Sequence, residues 1–134
     1  MDITETYIKM RIAAIPDLGL GNLSTIDIHE QEIDGIDYLV DATGDFYIET
    51  EDGSRCQLER QDQLQEMMKV FEPDSLTLQY NFMEWCIPYF SAKGEDIYPW
   101  YVVSVTSIEQ LWLAFVMKEN HNKAWNGKEW ITQD

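Results

Sequence analysis

The chain is short of basic residues. Nine Lys and Arg stand against 25 Asp and Glu over 134 residues, a formal net charge of −16. From Ile12 to Ser54 there is neither Lys nor Arg. Nucleic-acid affinity comes largely from Lys and Arg displacing counterions from phosphates, and anionic lipid headgroups attract the same residues. The deficit argues against direct DNA or RNA binding and against docking on an anionic membrane. Long apolar runs are missing too: nothing reaches the roughly 20 uninterrupted residues that a bilayer-spanning helix needs. The opening "MDITETYIKM" is acidic, where a secretory signal is basic and then apolar. The expected setting is therefore the cytoplasm.

Cysteine and histidine are almost as scarce. Cys56 and Cys86 lie thirty residues apart and show no metal-ligand spacing. In a reducing compartment they read as buried, small hydrophobes. The apolar setting "MEWCIPYF" should raise the Cys86 thiol pKa and make it inert. His29 and His121 are the only imidazoles, and no local motif joins either to a nucleophile and an orienting group. Asp41, Thr43 and Asp45 echo the first three ligand positions of a calcium loop. Phe46 stands where the sharp turn needs Gly, and Asp52 where the last ligand should be Glu, so an EF-hand is rejected. No catalytic residue, cofactor or metal is assigned.

What is present is a core. Hydrophobic residues make up 45% of the chain, with five Trp, seven Tyr and five Phe. That suits a single small domain without staples, burying roughly two thirds of its unfolded surface. Residues 2–14 read as a helix capped by Asp2 or Thr4 and ended by Pro16. "DLGLGNLS" follows as a loop; its Gly19-Leu-Gly21 resembles part of a phosphate-binding loop but follows a helix, not a strand. A strand-rich region, about 22–58, contains "STIDIHE", "GIDYLVD", "DFYIET" and "SRCQLE", the last two joined through an Asp52-Gly53 hairpin turn. Its carboxylates Asp27, Glu30, Glu32, Asp34, Asp37, Asp41 and Asp45 form the candidate interface.

A helix-rich region, about 61–121, comes next. Leu64, Met67, Met68 and Phe71 make an amphipathic stripe, with Asp62 and Gln65 as a capping pair and Glu72-Pro73 as the stop. Residues 74–92 read as a helix with Tyr80, Met83 and Ile87 on one face, kinked or ended by Pro88. "YVVSV", 101–105, reads as a strand. Ser107 and Gln110 form a capping box ahead of a helix whose apolar face is Ile108, Leu111, Trp112, Phe115 and Val116. Asn126-Gly127 marks a C-terminal hairpin over 124–131. The fold expected is α+β: one antiparallel sheet of about four to six strands packed against three or four helices.

Two blocks, "RQDQLQEMM" and "SIEQLWLAFVMKENHNKAWNGKEWI", resemble those of a family of small proteins encoded by bacteriophages and prophages of Gram-positive bacteria. The resemblance spans residues 60–134 with gaps and carries no assigned activity or catalytic residues. It implies a phage accessory protein in the host cytoplasm.

Composition and resemblance together lead to a non-enzymatic protein that binds a host or phage protein of positive charge through its acidic region. A DNA-mimicking inhibitor of a host defence nuclease is the alternative. Carboxylates along one strand lie about 6.6–6.8 Å apart against one DNA charge per 1.7 Å or so, so mimicry needs several adjacent acidic rows. A small enzyme and a virion component are the remaining readings.

Overall fold

The computed structural model describes residues 2–22, 27–69, 73–91 and 107–133. The strand expected at 101–105, Ile26 and Phe71 lie outside the described residues, as does the side chain of Ile87. The architecture is α+β: five helices, a four-stranded antiparallel sheet and a two-stranded sheet among the described residues. No helix among them is long and apolar enough to cross a membrane. The chain divides into two compact units, Ile3–Glu59 and Arg60–Asp134, the latter taking in Met1–Asp2 as well.

In the N-terminal unit, helix α1 spans Glu5–Ala13, and its cap is Thr4, whose hydroxyl accepts from the Tyr7 N–H at 3.4 Å. Pro16 does not simply end this helix. It sits in the first turn of a short second helix, α2 (Ile15–Leu18), where its missing N–H has no intrahelical partner to lose. Four strands follow: β1 (His29–Ile33), β2 (Ile36–Val40), β3 (Phe46–Glu49) and β4 (Arg55–Leu58), an antiparallel meander in the order β1-β2-β3-β4.

The first strand departs from expectation. It is the polar "HEQEI", with four of five residues exposed; of "STIDIHE" it takes in His29 and Glu30, Asp27 and Ile28 precede it, and residues 24–26 lie outside the described residues. Its position is set by the turn. Asp34 and Gly35 both take left-handed φ, +53° and +81°, the signature of a two-residue type I′ hairpin, so that Ile33 pairs with Ile36. The β2 alternation holds: Tyr38 and Val40 are buried while Asp37 is exposed. The β3–β4 hairpin closes through Thr50 and Ser54, with Gly53 supplying a left-handed residue (φ +85°).

One buried ion pair ties this unit together. Arg11 and Glu59 are 0% and 1% exposed. Arg11 Nε donates to Glu59 Oε1 at 2.6 Å and Nη2 to Oε2 at 3.1 Å, a bidentate pair; Nη2 also donates to the Gly19 carbonyl at 2.8 Å. Burial opposes the charge on Arg11, and the hydrogen-bonded Glu59 more than restores it, leaving the guanidinium pKa above its ordinary value. The loop after α2 lies against the same strand: the Gln57 N–H donates to the Leu20 carbonyl at 2.9 Å. Gly21, at φ +83°, has no room for a side chain, since an added Cβ would stand 2.8 Å from Glu59 Oε2. Close packing thus explains Gly21, whereas Gly19 has open space around it and is called for by its left-handed φ of +72°.

The C-terminal unit begins with α3 (Gln61–Met68). Its capping pair lies two residues earlier than expected: the Arg60 N–H donates to Gln63 Oε1 at 2.9 Å. A guanidinium has no acceptor to return the bond, and Arg60 instead pairs with Asp62 at 3.1 Å. The helix ends at Met68, before Glu72-Pro73, with Leu64 and Met68 buried and Met67 half-buried.

Helix α4 (Ser75–Ser91) runs on through Pro88. It buries Leu78, Phe82 and Cys86, while the expected inner residues Tyr80 and Met83 are 62% and 59% exposed. The choice of face follows from an aromatic contact. Phe82 stacks on Trp112 of helix α5 (Ile108–His121), with ring centroids 3.8 Å apart and planes 6° from parallel.

Ser107 caps α5, accepting from the Gln110 N–H at 3.1 Å; the Gln110 side chain donates to Asp2 at 2.8 Å instead of closing the box. Residues Leu111 to Met117 are all buried, so α5 is enclosed around its middle, whereas Ile108 is 41% exposed. Asn122 ends the helix in the left-handed conformation. Strands β5 (Lys123–Trp125) and β6 (Trp130–Thr132) form the separate second sheet. Their connection is a four-residue loop whose Asn126 Oδ1 accepts from the N–H groups of Lys128 and Glu129, each at 2.9 Å. Trp125 and Trp130 face each other across it, both buried, with centroids 5.1 Å apart. All five Trp of the sequence fall within Arg60–Asp134, and none within Ile3–Glu59.

Candidate functional site

The four-stranded meander decides where the candidate carboxylates go. Antiparallel strands place alternate connections at opposite ends of a sheet. The β1–β2 turn with Asp34 and the β3–β4 loop with Glu51 and Asp52 therefore share one end, and the β2–β3 connection, 41–45, lies at the other.

Register sharpens this. Glu32 pairs directly with Asp37. The β2–β3 pairing covers Leu39–Tyr47 and Val40–Phe46, and two residues beyond Tyr47, on the same face of β3, Glu49 pairs with Arg55. Glu32 and Asp37 thus stand directly opposite one another on one face of the sheet, and Glu49, on the same face of β3, stands opposite a guanidinium. Like charges directly opposite one another destabilise a sheet. Glu32, Asp34, Asp37, Glu49, Glu51 and Asp52 are all exposed, and none of them forms an ion pair among the described residues.

Asp52 also serves its own loop. It accepts from the Thr50 hydroxyl at 2.5 Å and the Ser54 N–H at 2.9 Å, and these bonds hold its carboxyl pKa down at about 2. It stays ionised throughout the physiological range.

The seven expected interface residues separate into two groups. Asp27, Glu30, Glu32, Asp34 and Asp37 are exposed on or beside the β1–β2 hairpin, with Glu30 on the same face as Glu32. Asp41 is not available to a partner: it is 3% exposed. Its Oδ1 accepts from the Thr43 N–H (2.9 Å), the Thr43 hydroxyl (2.7 Å) and the Asp45 N–H (3.0 Å), and its Oδ2 from the Tyr47 hydroxyl (2.9 Å). Burial works against the Asp41 charge, and those four bonds outweigh it, so its pKa lies below the ordinary carboxylate value. Half-buried Asp45 is the other end of that turn. The resemblance of 41–45 to a calcium loop is therefore that of an aspartate organising its own backbone.

Sequence reasoning placed Glu49, Glu51 and Asp52 in the acidic region without assigning them to the interface. Register places Glu49 and the order of the meander brings the loop with Glu51 and Asp52 to the same end of the sheet, neither of which the sequence alone gives.

The other candidate groups are enclosed. Cys56 and Cys86 are free and buried, and burial pushes their thiols up to about 11 and about 12. His29 lies exposed on β1, and His121 is in the last turn of α5. No protein-family model matches the chain, and no curated protein or solved structure matches it either.

Proposed function

We propose that this is a phage-encoded accessory protein that acts without catalysis in the host cytoplasm, by holding a basic protein against its acidic surface. One observation carries the reading: Glu32 and Asp37 are a directly opposed like-charge pair that the sheet keeps at a cost to its own stability. A cationic partner removes that cost on binding. The Ile3–Glu59 unit has thirteen acidic against three basic residues, a formal −10, which would also steer a basic partner toward it.

The same register favours a protein contact over DNA mimicry. The neighbouring row on that face reads Glu30, Leu39, Tyr47, Gln57, with one carboxylate in four positions, so the several parallel rows a duplex presents are not matched.

The test is retention of host proteins from a Gram-positive lysate on the immobilised protein. It compares the natural chain with a Glu32→Gln, Asp37→Asn, Glu49→Gln variant. A retained protein that elutes with salt and is lost from the variant supports the reading. Retention that the variant leaves undiminished overturns it.

A further inference from the structure

Beside Glu49, at the start of the β3–β4 loop, lies a groove of about 650 Å³, within the size range of sites that bind small ligands or a few side chains. Its floor is apolar: Ile12 from α1, Ile15 from α2 and Leu20 from the loop that follows, all half-buried. Its rim is anionic, formed by Glu49, Glu51 and Asp52. We propose that this groove seats a cationic amphipathic segment of the partner protein, its aliphatic side chains on the isoleucine–leucine floor and its lysine or arginine heads on the carboxylate rim.

The inference rests on the acidic-surface reading and adds to it the chemistry of the bound segment. Charge complementarity selects the occupant. An anionic or neutral apolar ligand would leave the rim uncompensated, and a purely polar cation would leave the floor wet. Lys and Arg carry apolar stems below charged heads, so one such side chain satisfies both surfaces at once. Among the described residues Arg55, across from Glu49, is the one cation in register with the rim, and one charge does not neutralise three.

The probes are short fluorescent peptides: one of lysine and leucine, one of lysine and serine, one of glutamate and leucine. Binding is read by fluorescence anisotropy, and the site by NMR shift changes. The lysine–leucine peptide should bind and shift Ile12, Ile15, Leu20 and Thr50. The other two should bind at least about tenfold more weakly, since either the buried aliphatic surface or the charge match is missing. Leu20→Ser should weaken the first peptide by about tenfold. Because a floor substitution could disturb folding, the exposed pair Glu49→Gln, Glu51→Gln provides a second arm and should weaken it as well.

Equal binding of the lysine–serine peptide overturns the groove while leaving the acidic surface standing as a purely electrostatic contact. Failure of every cationic peptide also overturns the groove, and the lysate experiment then judges the broader reading separately. A dimer in sedimentation that Leu20→Ser dissociates would mean that a second copy fills the groove, and it overturns the proposal too.

Discussion

Replacing Glu59 by Gln tests the central account of the N-terminal unit. The substitution preserves size and one acceptor toward Arg11, but it leaves a guanidinium at 0% exposure without its counter-charge. Removing one member of a buried pair costs about 3–5 kcal/mol, because the survivor cannot regain its hydration. At an m-value of about 2 kcal/mol per molar urea, the unfolding midpoint falls by about 2 M. NMR cross-peaks of Tyr7, Tyr38 and Tyr47 report on Ile3–Glu59, while tryptophan emission reports on residues 60–134 alone. The double replacement Arg11→Met, Glu59→Leu removes both charges and should be less destabilising than either single change. A shift for Glu59→Gln of less than about 1 kcal/mol, well below the range for a broken buried pair, would refute the reasoning. So would a double variant whose cost equals the sum of its parts, since that would mean the two groups do not interact.

Asp41→Ala should destabilise the same unit by about 2–4 kcal/mol, since four hydrogen bonds converge on that carboxylate. Because the folded pKa of Asp41 is depressed, its contribution is present in full above the ordinary value of about 3.9 and disappears as pH falls through the folded value. Acid unfolding curves of Asp41→Asn should lack that part of the pH dependence, and an unchanged curve would contradict it. Glu32→Gln relieves the contact with Asp37 and should raise stability by about 0.2–1 kcal/mol, more at low salt, while weakening partner capture. Thermal melts at two ionic strengths check the first half, and a loss of stability would count against the repulsion between Glu32 and Asp37. Cys56 and Cys86, with thiols near 11 and 12, should react with an aromatic disulfide reagent at neutral pH only after denaturant is added. Rapid labelling of the native protein would show that one of them is accessible.

Much of the fold could be read from local chemistry. The alternation of Tyr38 and Val40 against Asp37, the Asp-Gly turn at 52–53, the Ser107 cap and the Asn-Gly loop are signals confined to a few residues, and each element formed where they fall. The failures share a cause, which is that the deciding partner is remote in sequence. β1 has no apolar alternation of its own and is defined by what β2 offers it across the Asp34-Gly35 turn. Helix α4 is apolar on several faces, and Trp112 and Phe115, thirty or more residues beyond Phe82, select the buried one. The use of Pro16 at a helix start, and not as a stop, depends on the turn at Ala14, which no local pattern marks. In the candidate site, the acids were evident but their order was not. Asp41 is chemically identical to Asp37 in the sequence, and only the Thr43, Asp45 and Tyr47 donors around it remove it from the surface. The groove needs α1, α2 and the 50–54 loop to meet, which no local pattern announces.

The Asn126-Gly127 loop has a chemical lifetime. A glycine after asparagine offers little steric resistance to attack by its amide nitrogen on the side-chain carbonyl, the first step of deamidation through a succinimide. The hydrolysed product is largely isoaspartate, which adds a methylene to the main chain and takes away the oxygen that receives the Lys128 and Glu129 amides. The indole pair at positions 125 and 130 would lose its alignment with that closure. Aged preparations should therefore gain one negative charge on isoelectric focusing and, in step with it, lose the exciton signature of the coupled indoles.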